Sequence, residues 1–176
     1  MYFVTGNINK FNEVKSIFPD VQQLAADLPE IQSLDPKEII WHKLQEAQKL
    51  YPNTQLIVED TSLVFDARNG LPWPFIKWHL DTVKDIGIWQ MLQWFSNKSA
   101  RGMSTIGYTD GKNTEFFTWI VYGTIVEPVV STWFGRDALF QPEWYDKTFA
   151  EMTKEEKNAI SHRGKALQLL KECLEK

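Results

Sequence analysis

The fold is decided first by residues 1–10, which read MYFVTGNINK. The apolar run of residues 1–4 predicts a short buried strand, and Gly6 marks a tight turn directly after it. A helix is predicted from about residue 9 to residue 18, because the apolar side chains of that segment recur on one face. A strand that passes through a tight turn into a helix is typical of an α/β fold.

The next helix is marked by residues 35–38, which read DPKE. Aspartate is a favoured N-cap, proline suits the first helical position, and glutamate takes the capping-box place. We predict a helix from this point to about Leu50, with Ile40, Leu44 and Ala47 on its buried face.

Further along the chain, strands and helices continue to alternate and then give way to a hairpin. The pattern predicts a strand at residues 56–59, a helix at 86–95, strands at 102–109 and 115–125, and a final helix from about residue 161 with Leu167, Leu170 and Leu174 on its buried stripe. The turn TDGK at residues 109–112 is a strong hairpin signal. We therefore predict one α/β domain over residues 1–176, built on a mixed, twisted sheet.

Composition narrows the classes of protein that fit. A net charge of −4 disfavours sequence-independent binding to a nucleic-acid polymer, which needs many phosphate-neutralising cations. The single cysteine, Cys173, excludes an intramolecular disulfide and fits a reducing cytoplasm. No stretch approaches eighteen apolar residues, so we expect a cytoplasmic protein that does not cross a membrane. The eight tryptophans fit either packing or stacking on a ligand.

Thr5, Asn7 and Lys10 lie in the predicted strand-to-helix turn. Free backbone N–H groups and the positive end of a helix suit a phosphate, and Lys10 adds a full charge. The single glycine matches neither a Walker A loop nor a dinucleotide fingerprint. The residues alone leave an ordinary tight turn open as the alternative.

Glu59 and Asp60 directly follow an apolar strand, the usual place for functional side chains in an open α/β sheet. Carboxylates there can hold Mg²⁺ or activate a water molecule. Because side chains alternate along a strand, at most one of the two is expected to point into a given cleft. A solvated strand end is the alternative.

Two further segments carry cations. Residues 71–78, LPWPFIKW, combine two prolines with Lys77, and from composition they fit a ligand loop or a structural brace. Residues 157–165, KNAISHRGK, place several cations and a histidine close together in an acidic protein, and a solvated helix start is the alternative. No pair among the three histidines has metal-ligand spacing.

Taken in order, several segments resemble the inosine triphosphate pyrophosphatase family, most closely its eukaryote-like subgroup. The matching segments cover nearly the whole chain: Thr5-Gly6-Asn7, Lys10 and Glu13; Leu28-Pro29-Glu30; Glu59-Asp60-Thr61 and Leu63; Leu71-Pro72 and Pro74-Phe75-Ile76-Lys77-Trp78; Phe134-Gly135 and Asp137; Phe140-Gln141-Pro142; Ala150-Glu151-Met152; Lys157-Asn158 and Ile160-Ser161-His162-Arg163. No one segment is decisive, and their ordered sum makes the resemblance specific.

The resemblance implies an elongated mixed twisted β-sheet flanked by helices, two lobes with a central nucleotide cleft, and a homodimer. It also implies Mg²⁺-dependent hydrolysis of non-standard purine nucleoside triphosphates to monophosphate and pyrophosphate, which cleanses the nucleotide pool. The cations fit that chemistry, since water does not attack the α-phosphorus of a polyanion unless the charge is offset.

Residue by residue, the resemblance implies the following roles. Phosphates would be held by Thr5, Asn7, Lys10, Lys43 and Lys77; Mg²⁺ by Glu30 and Asp60, with Asp60 also orienting the attacking water; and the base or its sugar end by Phe134, Asp137, Lys157, His162 and Arg163. The catalytic candidates are Asp60 and Lys10. A cationic donor would pair with a 6-keto oxygen and leave a 6-amino group badly paired, which discriminates between bases.

The departures from the family pattern lie on the base-side loops. Trp73, Trp119 and Trp144 stand where the family usually has glycine, and Arg136 where it usually has tryptophan. An indole at a glycine position either fills space or reshapes the backbone. We expect an altered base preference, with Trp73, Trp119 and Arg136 as specificity candidates. A non-catalytic nucleotide-binding or scaffold protein with an occluded cleft is the alternative function.

Overall fold

A computed structural model describes residues 1–26, 28–129 and 137–176. In chain order the elements are β1 (Tyr2–Val4), α1 (Ile8–Ile17), β2 (Gln22–Leu24), α2 (Pro36–Leu50), β3 (Leu56–Phe65), β4 (Pro72–Trp73), α3 (Ile76–Thr82), α4 (Lys84–Gln90), β5 (Ser99–Thr109), β6 (Thr114–Ile125), β7 (Phe140–Pro142), α5 (Lys154–Ile160) and α6 (His162–Leu174). The strands form a sheet in the order β2-β1-β3-β5-β6-β7, with β4 paired to β3. Strand β1 is parallel to β2 and β3, whereas β4 is antiparallel to β3 and β7 to β6. The predicted α/β class with a mixed sheet is confirmed.

Each of the first two helices begins at a capping residue; the cap at Asp35 was predicted from the sequence, and the cap at Asn7 was not. Asn7 caps α1 by accepting hydrogen bonds from the backbone N–H groups of Asn9 and Lys10, at 3.0 and 3.1 Å. Asp35 caps α2 by accepting one from the N–H of Lys37 at 2.9 Å. The three residues predicted to face inward from α2 are completely buried. Local capping and periodicity were therefore sufficient to place both helices.

Strand β3 is longer than predicted. The sequence prediction ended it at the acidic pair, on the assumption that charged residues mark a solvated strand end. The strand instead continues through Glu59 and Asp60 to Phe65, because a buried cation neutralises Glu59 and removes the penalty for burying it.

The helix predicted over residues 86–95 ends early, since α4 spans Lys84–Gln90 and turns follow it. Lys98 donates hydrogen bonds to the backbone carbonyls of Leu92, Gln93 and Phe95 in those turns and so ends the helical segment. Leu174, predicted to be buried, is 42% exposed in the last turn of α6. Both errors lie at helix ends, where periodicity carries little information.

The described residues form two compact units, each assembled from separate stretches of the chain. The first unit comprises Met1–Asp60, Ser104–Trp119 and His162–Lys176, and the second comprises Thr61–Met103 and Ile120–Ser161. Strands β3, β5 and β6 contribute residues to both units. No helix in the described residues combines the length and the apolarity needed to cross a membrane.

The first unit buries its strands on both faces. Successive residues of β1 and β3 point to opposite sides, and they join two separate apolar clusters: Phe3, Val14, Val21, Ile57, Ile106, Tyr108, Ala166, Leu167 and Leu170 in one, and Val4, Ile40, Leu44, Ala47, Leu56 and Val58 in the other. Helices α1 and α6 therefore cover one face of these strands and α2 covers the other, as expected for parallel strands.

The second unit has a core of its own. Its buried apolar residues are Leu63, Phe65, Ile76, Ile88, Leu92, Ala100, Ile125, Leu139, Phe140 and Phe149. The rings of Phe140 and Phe149 stack with their centroids 5.4 Å apart. This core fixes β7 and the segment that leads into α5.

Candidate functional site

Strand β3 places Glu59 and Asp60 beside the turn that follows the neighbouring strand β1. Strands β1 and β3 are parallel, with Tyr2 opposite Leu56. Continuing that register brings Thr5 level with Glu59. The strand-to-helix turn that ends β1 therefore lies level with the two carboxylates in the middle of the longer strand β3.

Glu59 is a completely buried carboxylate with three partners. Its Oε2 lies 2.6 Å from Nζ of Lys10. Its Oε1 accepts hydrogen bonds from Oγ of Ser104 at 2.8 Å and from Nε of Arg163 at 3.3 Å. Arg163 also pairs through Nη1 with Glu13 on α1. Each ion in this group has an opposite charge beside it, the condition under which proteins bury ions.

Lys43, on α2, holds a second group of carboxylates. Its Nζ lies 2.7 Å from Oε1 of Glu30 and 3.6 Å from Oδ1 of Asp60. The side chains of Lys43 and Asp60 are 10% and 16% exposed, whereas that of Glu30 is 41% exposed. The group is therefore reached by solvent on the Glu30 side.

These residues together are called the charge cluster here. Its members are Lys10, Glu13, Glu30, Lys43, Glu59, Asp60 and Arg163. Its three cations and four carboxylates give the cluster a formal net charge of −1. All seven residues belong to the first unit.

The charge cluster shifts the pKa values of its own members. Burial lowers the pKa of Lys10, and Arg163 and Lys43 lower it further against the pull of the carboxylates. Burial raises the pKa of Asp60, against the pull of the two lysines. Burial opposes the charge on Lys43, but Asp60 and Glu30 outweigh it, and the pKa of Lys43 is raised. An ionised carboxylate with a raised pKa is a better proton acceptor near neutral pH.

The turn between β1 and α1 is shaped by its own side chains. Oγ1 of Thr5 accepts a hydrogen bond from the N–H of Asn7 at 3.1 Å, and Asn7 caps α1. Gly6 has no left-handed φ, and a Cβ added to it would meet no protein atom within 4 Å. Among the described residues nothing requires glycine here, so the space beside Gly6 is open to a ligand. The phosphate roles of Thr5 and Asn7 stay predictions.

The carboxylates beside Lys43 fit a divalent cation. Oδ2 of Asp60 is buried and accepts no hydrogen bond from any described residue. Oε1 of Glu30 and Oδ1 of Asp60 converge on one ammonium group. Within residues 1–26, 28–129 and 137–176, no set of three or more His, Cys, Asp or Glu side chains is arranged to hold a metal. Two carboxylates suit Mg²⁺, which keeps several waters and takes further oxygens from substrate phosphates.

The second unit contains one buried ion pair among the residues predicted to face the base. Nζ of Lys157 lies 2.6 Å from Oδ2 of Asp137, and both side chains are nearly buried. Lys157 lies on α5, which begins at a capping box formed by Thr153 and Glu156. The structure thus brings Asp137 and Lys157 together, and the contact with a base implied for each stays a prediction. Phe134 and Arg136 lie outside the described residues.

The remaining predicted residues fall in different surroundings. His162 and Arg163 are buried at the beginning of α6 in the first unit. Arg163 contacts two carboxylates of the charge cluster, and the contact with a base implied for it stays a prediction. Lys77 is exposed on the first turn of α3 in the second unit, and its phosphate role also stays a prediction.

Two of the tryptophans adopt the backbone conformation that glycine favours. The φ angles of Trp73 and Trp144 are +42° and +69°. Trp73 is half-buried and packs beside Gly70, whereas Trp144 is 96% exposed. Trp119 lies in β6 and is 40% exposed. The backbone at positions 73 and 144 therefore keeps the left-handed conformation despite the indole side chain. The indole of Trp73 also fills the space beside Gly70.

Sequence reasoning missed Ser104 and gave no specific role to Glu13 or Glu59. Glu13 follows Lys10 by three residues, so helical spacing placed both on one face of α1. Alternation also placed Glu59 on the opposite side of β3 from Asp60. No signal in the sequence connected Ser104 with Glu59, because the two strands meet only in the folded sheet.

Comparisons with known proteins agree on one family. The model of the Ham1 family matches residues 1–173. An inosine triphosphate pyrophosphatase from Kluyveromyces lactis is 43% identical over 183 residues, which cover 98% of this chain and 94% of that protein. One from Schizosaccharomyces pombe is 40% identical, with the same coverage. The structure of the Staphylococcus aureus Ham1 protein has a TM-score of 0.83 and 28% identity, and the match covers 99% of this chain and 98% of the other.

Proposed function

The chain belongs to the Ham1 family, and from that premise we propose that it hydrolyses non-standard purine nucleoside triphosphates. The substrates are of the inosine, deoxyinosine or xanthosine type, and the products are the nucleoside monophosphate and pyrophosphate. Such an enzyme removes unwanted nucleotides from the pool, and residues 1–176 act as a single catalytic domain. The observation that carries the proposal is the charge cluster. It combines Lys10 and Lys43 with Oδ2 of Asp60, which accepts no hydrogen bond from any described residue.

The two lysines of the charge cluster supply the positive charge that a triphosphate needs. Lys10 follows the open turn at Gly6, and Lys43 lies beside Asp60. Cations on the β- and γ-phosphates stabilise pyrophosphate as it leaves, and the helix N-terminus adds a favourable field. Lys10 is held in place by Glu59, so it does not need to be ordered when substrate binds.

Asp60 is our candidate for the group that orients the attacking water. Water attacks the α-phosphorus, the bond from that phosphorus to the bridging oxygen breaks, and pyrophosphate leaves with the bonding electrons. Asp60 accepts the proton that the water loses, and its raised pKa suits that role. The free Oδ2 is the atom available to the water.

Glu30 and Asp60 are the residues that would hold Mg²⁺. The bound ion would offset phosphate charge and lower the pKa of a coordinated water. The carboxylate of Glu30 is more exposed than that of Asp60, so it can adjust to a ligand that arrives from solvent.

The base is assigned to the residues that the family resemblance indicates. Phe134 would stack on it, and Asp137 and His162 would line its edge. Lys157 and Arg163 would contact its keto oxygen or the sugar-phosphate end. The ion pair of Lys157 with Asp137 supports this assignment, because it fixes a cationic donor in a buried setting. A cation that is already oriented pairs well with a keto oxygen and poorly with an amino group.

The experiment is a pyrophosphate-release assay across a panel of nucleoside triphosphates. We expect inosine and xanthosine triphosphates to give monophosphate and pyrophosphate in the presence of Mg²⁺, with release lost in excess EDTA. Nucleoside diphosphate and orthophosphate as products would contradict the proposal. Nucleotide binding without turnover would instead support the non-catalytic alternative.

We also propose a homodimer and a cytoplasmic location, which the resemblance implies. Sedimentation at micromolar concentration tests the first, because a mass near 20.6 kDa would indicate a monomer. Fractionation of the source cells tests the second.

A further inference from the structure

Lys43 occupies the position between the two carboxylates that would hold the metal. Its ammonium lies 2.7 Å from Glu30 and 3.6 Å from Asp60. Glu30, Asp60 and Lys43 together carry a net charge of −1, and without the lysine they would carry −2. The ammonium therefore performs, in the free protein, the neutralisation that a divalent cation would perform.

We propose that Lys43 is an exchangeable counter-ion, which shields Glu30 and Asp60 in the free protein and moves to the triphosphate when metal replaces it. The inference rests on the proposed function and adds to it a coupling between metal and substrate. One lysine cannot neutralise the carboxylates and the phosphates fully at the same time. Binding of metal makes Lys43 available to the phosphates, and by linkage the triphosphate favours binding of the metal.

The geometry suits such an exchange. Lys43 is a flexible side chain with a compact ammonium group, which can turn to a new partner without moving its helix. Glu30, its shorter contact, lies outside regular structure and is 41% exposed. Lys10, in contrast, is paired with Glu59, whose other oxygen is fixed by Ser104, so Lys10 has less freedom to move.

The test measures metal binding to the nucleotide-free protein, using Mn²⁺ as the probe and electron paramagnetic resonance as the readout. In Lys43→Met the metal no longer has to displace an ammonium, so Mn²⁺ should bind about tenfold more tightly, the factor that follows from one lost charge-assisted hydrogen bond. An α,β-methylene inosine triphosphate should bind more weakly to the same variant. A purely structural role for Lys43 would weaken both ligands together.

The controls separate charge from position. Lys43→Arg keeps the cation and should bind Mn²⁺ close to the wild-type affinity. Lys49→Met removes an exposed lysine of the same helix, paired with Glu46, and should leave both affinities unchanged. Mn²⁺ binding to Lys43→Met that equals the wild type, or is weaker, would overturn the proposal.

A second variant covers the case in which Lys43→Met does not fold. In Glu30→Gln the lysine loses its shorter contact, so the α,β-methylene analogue should bind several-fold more tightly in EDTA, while Mn²⁺ binds more weakly. Glu38→Gln, in the first turn of α2, controls for the general loss of a negative charge. Analogue binding that is no tighter in Glu30→Gln than in Glu38→Gln would refute the exchange.

Failure of the exchange is distinguishable from failure of the proposed function. Pyrophosphate release without the opposite shifts in affinity would refute the counter-ion role alone. The opposite shifts in a protein that releases no pyrophosphate would refute the hydrolysis and support the exchange.

Discussion

The charge cluster and the Asp137–Lys157 pair both bury ions, but on different scales. In the cluster, three cations and four carboxylates are distributed over α1, α2, β3, α6 and the segment before α2. In the pair, one lysine meets one carboxylate at 2.6 Å. Loss of Glu59 from the cluster removes a partner from both Lys10 and Arg163, whereas loss of Asp137 from the pair removes a partner from Lys157. The machinery for the phosphates should therefore tolerate less alteration than the residues assigned to the base.

The largest expected effect comes from the cluster. Asp60→Asn keeps the size of the side chain but removes the proton acceptor, so turnover should fall by roughly 10²–10⁴. Pyrophosphate release at saturating inosine triphosphate measures the loss, with circular dichroism as the check on folding. A wild-type rate with unchanged metal dependence would show that Asp60 has another role.

The second prediction compares stability in the two regions. Glu59→Gln leaves Lys10 and Arg163 without their shared carboxylate, and we expect the free energy of unfolding to fall by about 3–5 kcal/mol. Asp137→Asn removes the carboxylate from the ion pair with Lys157 and should cost less. Urea unfolding of both variants gives the two values. Equal losses of unfolding free energy in the two variants would show that the network is no more sensitive to the loss of one carboxylate than the single pair is.

Base selectivity should depend more on the Asp137–Lys157 pair than on the charge cluster. Asp137→Asn releases Lys157 from its partner, so the ratio of kcat/KM for inosine and adenosine triphosphates should change by roughly ten- to a hundredfold. Pyrophosphate release from the better substrate should persist. If the ratio stays constant while all rates fall together, the pair supports the fold and not base recognition.

Gly6→Ala tests the open space beside the turn. The new methyl group meets no protein atom within 4 Å, so the free energy of unfolding should stay constant or rise by up to about 1 kcal/mol. Because the methyl enters the space left for phosphate, KM for the triphosphate should rise about tenfold. An unchanged KM would mean that the ligand does not approach Gly6.

The smallest effects are expected at the left-handed tryptophans. Trp144→Gly removes a side chain that is 96% exposed from a φ of +69°, so it should stabilise the protein by up to about 1 kcal/mol. Trp73→Gly relieves the same strain but loses the packing against Gly70, and should destabilise it. Thermal unfolding of the two variants distinguishes these outcomes, and a loss of stability in both would mean that the indole of Trp144 also makes a useful contact.

The sequence predicted the fold best where the signals are local. The apolar periodicity of residues 9–18, the cap at Asp35 and the TDGK turn placed α1, α2 and the β5–β6 connection, because each depends on residues only a few positions apart. Turns after α4 and the end of α6 were missed, since periodicity does not report where a helix stops. The short strands β2 and β7 carry too few residues to show alternation.

The candidate site was predicted in part. The strand-to-helix turn indicated Lys10, the acidic pair after the apolar strand indicated Asp60, and the family resemblance added Lys43. The structure brings these three residues together. The resemblance did not indicate that Glu59 connects Lys10 to Arg163, since that link joins residues far apart in the chain. Burial makes such links necessary, because a carboxylate without a cation cannot enter the core. The sequence shows the charges but not which of them meet.

The bond between Arg163 and Glu59 spans 104 positions of the chain, and this has a consequence during protein synthesis. A ribosome needs roughly 5–20 s to add that many residues. Throughout this interval a nascent chain has Lys10 and Glu59 but lacks the guanidinium of Arg163, so β3 cannot be buried with its charges fully paired. A chain that stalls before residue 163 should therefore remain sensitive to cellular proteases, and only nearly finished molecules acquire the complete cluster.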